Sequence, residues 1–248
     1  MPRGPKPAKS KIVTDSYGRY WHKMPSLNLK VVLFDLDGTL IDSAPDLHLA
    51  ANRILAEEGR DALSLAAITD MIGDGVPKLL ERAFKATGPM PSTDTYQSAI
   101  TRFLDFYEDH AADLTRPYPG TLGALKRLKD AGLRLAVCTN KPYDATMEIL
   151  GPLGLAPYFE AVIGGDSLPG IKKPDPRHLQ AALDKLGAAP GQAVMIGDNA
   201  NDVNAARGAG VPVIVVRFGY TKGPAENLSG DLIIDHFDEL PDAFKRLP

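Results

Sequence analysis

The chain has 248 residues, with 28 Lys or Arg against 31 Asp or Glu and a formal net charge of −3. Its first 23 residues carry six of the basic side chains and one acid, Asp15; the rest holds 22 basic and 30 acidic residues, a balance near −8 that excludes a body built to bind nucleic acid through bulk positive charge. A single cysteine, Cys138, excludes an intrachain disulfide, and with no long apolar run and no signal-type apolar segment the expectation is a cytoplasmic protein without a membrane partner.

In chain order, residues 1–28 are rich in Pro, Lys and Ser and lack periodicity, so they are expected to form a disordered basic extension. Val31 to Leu40 begins as an apolar run, the mark of a strand buried inside a parallel sheet, and ends in Asp35-Leu-Asp37-Gly38-Thr39. Residues two apart on a strand point the same way, so Asp35 and Asp37 can face one site. Two anions held together call for a counter-charge, and a hard divalent cation with oxygen ligands meets that need.

From residue 43 to about 116 no strand pattern occurs. Leu47, Ala50, Ala51, Ile54 and Leu55 form one helical stripe over Pro45–Glu58; Leu79, Leu80 and Ala83 form another over Val76–Ala86; Ile100, Phe103, Leu104 and Tyr107 form a third over Ala99–Tyr107. These predict a helical bundle inserted directly after the first strand, and Pro117-Tyr-Pro-Gly120 marks the return to the sheet. Strand and helix then alternate: helices over Leu122–Ala131, Tyr143–Leu150, Arg177–Leu186 and Asp202–Gly208, and strands over Leu133–Thr139, Ala161–Ile163, Ala193–Ile196, Val213–Val216 and Leu232–Ile234. The pattern predicts an α/β fold, a doubly wound parallel Rossmann-like sheet with an inserted α-helical unit. The expected division is core at 29–42 and 117–248 and insert at 43–116.

Four polar clusters fall at or just beyond strand ends: Asp35-x-Asp37-Gly38-Thr39, Thr139-Asn140-Lys141, Lys172-Lys173-Pro174-Asp175-Pro176, and Gly197-Asp198-Asn-Ala-Asn-Asp202. Parallel topology brings strand ends to one rim, where open α/β sheets bind ligands. Together the clusters contain the parts of a phosphoryl-transfer site: a carboxylate to attack phosphorus, a second to move a proton, a hydroxyl and a lysine for the phosphoryl oxygens, and a further aspartate for a metal. The remaining candidates read as structural. Cys138 reads as a small buried hydrophobe, Lys172 as a solvated charge, and His178 as a helix-surface residue; none of the five histidines has metal-ligand spacing.

Asp35-Leu-Asp-Gly-Thr-Leu-Ile-Asp-Ser-Ala-Pro-Asp-Leu47, Ile72-Gly-Asp-Gly75, Pro117-Tyr-Pro-Gly120, Thr139-Asn-Lys141, Lys173-Pro-Asp-Pro176 and Gly197-Asp198 with Asp202 resemble the haloacid dehalogenase-like superfamily of phosphatases with an α-helical cap, and within it the phosphoglycolate phosphatases. The resemblance runs from about Lys30 to the C-terminus. It implies a hydrolase that cleaves 2-phosphoglycolate to glycolate and phosphate through an aspartyl-phosphate. Asp35 would be the nucleophile and Asp37 the general acid and base. Thr139 and Lys173 would bind the phosphoryl group, and Thr39 and Asn140 would join them at the substrate. The implied cofactor is Mg²⁺, held by the carboxylates of Asp35 and Asp198 and the backbone carbonyl of Asp37. Asn199 and Asp202 would act behind them, on water ligands or on Lys173.

Gly73, Asp74 and Gly75 are expected to close over the substrate's distal end, near the cations Lys78 and Arg82. Two departures from the pattern are visible: Asn199 where serine is frequent, and Asp74 where asparagine is frequent. The expected partner is a small phosphorylated metabolite, not nucleic acid, bound to a monomer or homodimer. A phosphatase of another sugar or nucleotide phosphate, a phosphomutase, and an idle binding protein remain as alternatives. A dehalogenase is disfavoured, because it needs no leaving-group acid at Asp37.

Overall fold

The structure, a computed structural model, describes residues 28–247. The expected basic extension therefore lies, apart from its last residue, outside the described residues. The elements in order are β1 (Val31–Phe34), β2 (Ile41–Asp42), α1 (Ala44–Glu57), α2 (Leu65–Thr69), α3 (Val76–Thr87), α4 (Thr93–His110), β3 (Arg116–Pro117), α5 (Thr121–Asp130), β4 (Arg134–Cys138), α6 (Tyr143–Leu150), β5 (Ala161–Ile163), α7 (Pro176–Lys185), β6 (Ala193–Gly197), α8 (Ala200–Ala209), β7 (Val213–Val216), β8 (Leu232–Ile234) and α9 (Leu240–Phe244). None of the described helices is long and apolar enough to cross a membrane.

Six strands form one parallel sheet in the order β5-β4-β1-β6-β7-β8. The chain builds outward from β1 in one direction and then returns to build outward in the other, so β1 sits at the reversal, where its C-terminal end opens onto a crevice. Alternation splits the strand between the two faces: Val32 and Phe34 enter one core cluster, Val31 and Leu33 the other. All four are fully buried, which explains the uninterrupted apolar run. The register sets Phe34 beside Val137 on β4 and Ile196 on β6, so Asp35, Thr139 and Asp198 emerge together at one rim.

The helices α1 to α4 fall within the stretch that shows no strand pattern. All five apolar residues of the α1 stripe are buried, as are Leu79, Leu80 and Ala83 of α3. The fourth helix differs from expectation. It begins at Thr93, where Ser92 caps it through the Thr95 N–H, and its buried residues are Ala99, Phe103 and Tyr107. Ile100 and Leu104 lie on the flank and line a surface cleft. The apolar stripe could not locate the start because the first two turns are polar. Likewise α2 is too short to show a period; its signal is Ser64, which accepts from the Ala67 N–H.

Both crossings between sheet and insert are held by a two-residue antiparallel pair, Ile41 with Pro117 and Asp42 with Arg116, which the sequence pattern did not reveal. Asp46, buried in the first turn of α1, ties the same place from inside. Its carboxylate accepts from the N–H groups of Leu114 and Thr115 at 2.8 to 3.0 Å and from the Thr115 hydroxyl at 2.7 Å.

His178 corrects the expectation of a helix-surface residue: it is fully buried on α7. The α7 face that covers the sheet includes His178 together with Leu179, Ala182 and Leu183, and its Nε2 meets the Gly164 carbonyl at 3.1 Å. Burial, and then the Lys173 charge, lower its pKa from 6.5 to about 4. Below pH 6.5 the unfolded chain therefore takes up a proton that the folded chain refuses, so this group's contribution to stability is lost as pH falls towards 4. Wild type should lose about 2 kcal/mol relative to His178→Gln between pH 7 and pH 5, read from denaturant midpoints. Parallel pH profiles of the two proteins would refute this assignment.

Candidate active site

The centre of the rim is a buried ammonium. Lys173, from the loop between β5 and α7, reaches Asp35 Oδ1 at 2.7 Å and Asp202 Oδ1 at 2.6 Å, and its side chain is 1 % exposed. Asp202 belongs to the first turn of α8. Its other oxygen accepts from the N–H groups of Asp198 and Asn199, both at 3.1 Å. Asn199 is the N-cap of α8, and its side-chain oxygen takes the Asn201 N–H at 2.8 Å, so Asn199 and Asp202 close a capping box. Asp202 thus serves both the capping box of α8 and Lys173; the sequence placed it behind the reacting groups.

Carboxylate oxygens of Asp35, Asp198 and Asp202 lie within 4.8 Å of one another and all three residues are buried. One ammonium cannot balance three carboxylates. Burial first, and then the charge of Asp202, push Asp35 up to about 7 even though Lys173 pulls the other way. Burial, followed by Asp35 and Asp202, likewise raises Asp198. A deficit of positive charge among hard oxygen donors fits a divalent cation. Asp202 is already engaged by Lys173 and two backbone donors. Asp198 Oδ1 receives only the long contacts of Thr39 Oγ1 at 3.4 Å and Asn199 Nδ2 at 3.3 Å, which leaves Asp35 and Asp198 as the ligands best able to hold it.

The backbone closes tightly around Asp198. Gly38 has φ +85° and its Cα lies so close to Asp198 Oδ2 that a Cβ there would overlap it. Gly219, in the loop after β7, leaves equally little room against the Gly38 carbonyl and Asp198 Cβ. The next residue, Tyr220, donates its N–H to Asp198 Oδ2 at 2.6 Å, while its hydroxyl donates to Asp42 at 2.7 Å and accepts from the N–H groups of Ser43 and Ala44. Thr221 donates its hydroxyl to the Asp198 carbonyl.

Asp37 stands in a different environment. Ser43 donates to its Oδ1 at 2.5 Å and Lys141 to its Oδ2 at 3.2 Å. The Lys141 ammonium also reaches the Tyr107 hydroxyl on α4 at 3.0 Å and lies 4.7 Å from that ring's centre. Burial opposes the charged form of Lys141, but Asp37 and Tyr107 outweigh it and raise its pKa. A cleft of about 470 Å³, counting its open mouth, runs past Asp35, Asp37, Thr139, Asn140 and Lys141 to Ile72, Gly73, Gly75, Val76 and Leu79 of the insert. Of the expected site residues, Asp35, Asp37, Thr139, Asn140, Gly73 and Gly75 line it. Thr39 is instead turned toward Asp198, and Lys173, Asp198, Asn199 and Asp202 lie behind it.

The Gly73-Asp74-Gly75 loop rests directly on this rim. Asn140 donates to the Gly73 carbonyl at 3.0 Å, Asn201 to Asp74 Oδ1 at 2.8 Å, and Lys172 to the Asp74 carbonyl at 2.7 Å. Lys172 therefore docks the loop; it is not merely a solvated charge. Arg82 pairs with Asp74, and although burial raises that carboxyl, Asn201 and Arg82 bring it below the usual range. Lys78 pairs outward with Glu81 at 2.7 Å. Cys138 is fully buried, and burial pushes its thiol up to about 12, as expected of a small hydrophobe.

Ser43, Lys141, Tyr107 and Tyr220 received no role from sequence. Lys141 stood inside a quoted strand-end cluster, and Tyr220 follows a strand end by the same rule; Ser43 lay in the quoted first stretch and Tyr107 on an apolar helical stripe, and neither pattern marks a role at the site.

Comparison with known proteins adds the family. The sequence profile of the haloacid dehalogenase-like hydrolases matches residues 29–210. A phosphoglycolate phosphatase of Caulobacter vibrioides is 45% identical over 217 residues, covering 88% of this chain and 91% of that protein. One from Cereibacter sphaeroides is 43% identical, covering 87% and 98%. The crystal structure of a predicted phosphoglycolate phosphatase from Haemophilus somnus superposes with a TM-score of 0.84 at 32% identity, covering 88% of this chain and 99% of that one.

Removing Asp202 leaves a buried ammonium half-paired and two N–H groups at the α8 cap without an acceptor. Asp202→Ala should cost about 3 kcal/mol or more in denaturant unfolding. Asp202→Asn, whose amide oxygen still accepts from the cap, should cost less. A loss below about 1 kcal/mol for the alanine variant would mean that Lys173 and the cap are held by other groups.

Proposed function

The chain belongs to the haloacid dehalogenase-like hydrolases, and from that premise we propose that it is a phosphoric monoester hydrolase that cleaves 2-phosphoglycolate to glycolate and phosphate. The observation that carries the chemistry is the position of Asp35: one oxygen is fixed by Lys173, the carboxylate borders the cleft, and Asp37 stands two residues on with a hydroxyl and an ammonium around it. The substrate reading follows the two bacterial relatives above, which share more than 40% of their residues with this chain over most of its length. Residues 29–42 and 117–248 then form the catalytic core and 43–116 the cap, and the unpaired buried Cys138 suits the cytoplasm.

In the first half-reaction Asp35 attacks phosphorus. The Asp35 O–P bond forms as the ester P–O bond breaks, and Asp37 gives its proton to the departing glycolate oxygen. In the second half Asp37 takes a proton from water, whose oxygen bonds to phosphorus as the Asp35 O–P bond breaks, releasing inorganic phosphate and restoring the Asp35 carboxylate. Lys173 offsets charge on Asp35 and on the phosphoryl oxygens, and its bridge to Asp202 fixes where that ammonium sits. Thr139 offers its hydroxyl to the phosphoryl group at the cleft wall. Mg²⁺ held by Asp35, Asp198 and the Asp37 carbonyl would supply the positive charge that the carboxylate cluster lacks and screen nucleophile from phosphate.

Asp35→Asn should abolish turnover while retaining the wild-type unfolding midpoint. A folded variant that kept a tenth of wild-type kcat would remove Asp35 from the nucleophile's role. Asp37→Asn should lower kcat by about 10²- to 10⁴-fold on 2-phosphoglycolate. The loss should be smaller on an aryl phosphate whose leaving group hardly needs a proton, provided formation of the aspartyl-phosphate limits the rate. Excess EDTA should stop turnover and Mg²⁺ restore it, whereas Ca²⁺, with its longer bonds and higher ligand number, should not. Full activity in EDTA would overturn the metal assignment.

A further inference from the structure

We propose that Lys141 reads the substrate's carboxylate, making a core residue rather than a cap cation the determinant of specificity. This inference rests on the phosphoglycolate reading above. In 2-phosphoglycolate the carboxyl carbon is two bonds from the bridging ester oxygen. That oxygen is the atom Asp37 must protonate, so the carboxylate is confined to the immediate surroundings of Asp37. The Lys141 ammonium lies 3.2 Å from Asp37 Oδ2, and Lys141 lines the same cleft as Asp35 and Asp37.

Four other cations around the cleft are occupied or face elsewhere. Lys173 bridges Asp35 and Asp202, Arg82 is held by Asp74 and the Met71 carbonyl, Lys172 docks on the Asp74 carbonyl, and Lys78 pairs with Glu81. Lys141 has three N–H donors, of which one goes to Asp37 and one to the Tyr107 hydroxyl. Among the described residues no acceptor takes the third, which is left for a ligand. With a side chain only 5 % exposed, this ammonium offers a charge-assisted hydrogen bond shielded from water, where such bonds discriminate most. Tyr107, on α4 of the insert, acts as a positioning residue: its hydroxyl and ring face fix the ammonium. A tail without an anion would leave that donor unmatched, so the site selects esters whose leaving group carries a carboxylate next to the ester carbon.

The test measures kcat/KM of full-length wild type, Lys141→Met and Lys141→Gln on 2-phosphoglycolate and on 2-hydroxyethyl phosphate, an ester of similar length with a neutral tail. The ratio of the two values cancels any effect that Lys141 exerts on both substrates through Asp37. Wild type should favour phosphoglycolate, and both variants should lower the ratio by about 10- to 100-fold, chiefly through KM for phosphoglycolate. If wild type prefers phosphoglycolate and either folded variant keeps that preference, Lys141 is not the carboxylate's partner while the phosphoglycolate reading stands. If wild type shows no preference, the phosphoglycolate reading falls and this inference falls with it.

Discussion

The site depends on one ammonium placed among more carboxylates than it can neutralise. Lys173 sits between Asp35 and Asp202, with Asp198 close by, and all four residues are buried. Buried charges without partners are costly, so the fold must hold these residues in place by means other than their mutual attraction. It does so with the sheet. Asp35 follows β1, Asp198 follows β6, and the register of both strands is fixed by apolar side chains packed on two faces. A one-residue slip of β1 would exchange its faces and carry Asp35 away from the lysine, so packing and electrostatics specify the same register. Burial first, and then the neighbouring carboxylates, raise the pKa values of Asp35 and Asp198, and the excess of carboxylates makes the rim a place where a cation or a transferable electrophile is stabilised.

A second arrangement concerns the insert. Its loop at Gly73-Asp74-Gly75 docks on the core through carbonyls and the Asp74 carboxylate, received by Asn140, Asn201 and Lys172. An aspartate at this point would repel an anionic substrate if it faced the cleft. Here its charge is balanced by Arg82 within the insert and by the Asn201 amide from the core. The departure from asparagine therefore joins the two halves of the molecule without adding free negative charge to the cleft. Asn199, the other departure, caps α8 together with Asp202, a role that serine also fills.

Much of this was legible in the sequence because parallel sheets impose a simple geometry. An apolar run followed by a polar cluster marks a strand end, and strand ends converge; Asp35, Asp37, Thr139, Lys173 and Asp198 followed from that rule. All six strands of the main sheet and the buried stripe of α1 followed from periodicity. What stayed hidden depends on contacts between residues distant in sequence. Tyr107 meets Lys141 across 34 positions and Tyr220 reaches Asp42 across 178, and no local pattern encodes either. His178 was misplaced because a histidine early in a helix resembles a surface residue until the sheet it covers is known. The pair β2 and β3 is too short to carry a periodic signal at all.

The two aspartates of β1's end divide the site into regions with different rules. Behind Asp35 the partners Lys173 and Asp202 are buried and multiply bonded, so removing either of them disturbs the fold as well as the site. Around Asp37 the partners come from three separate places: Ser43 at the crossing into the insert, Lys141 on the core, and Tyr107 on α4 behind it. The seating of the insert is thereby coupled to Asp37, because any shift of α4 moves the hydroxyl that fixes Lys141. On the proposed reaction, phosphoryl chemistry is set by the strand ends, while the fate of the leaving group is set where sheet and insert meet. That separation lets the insert change which tail is accepted while Asp35, Lys173 and Asp202 remain fixed.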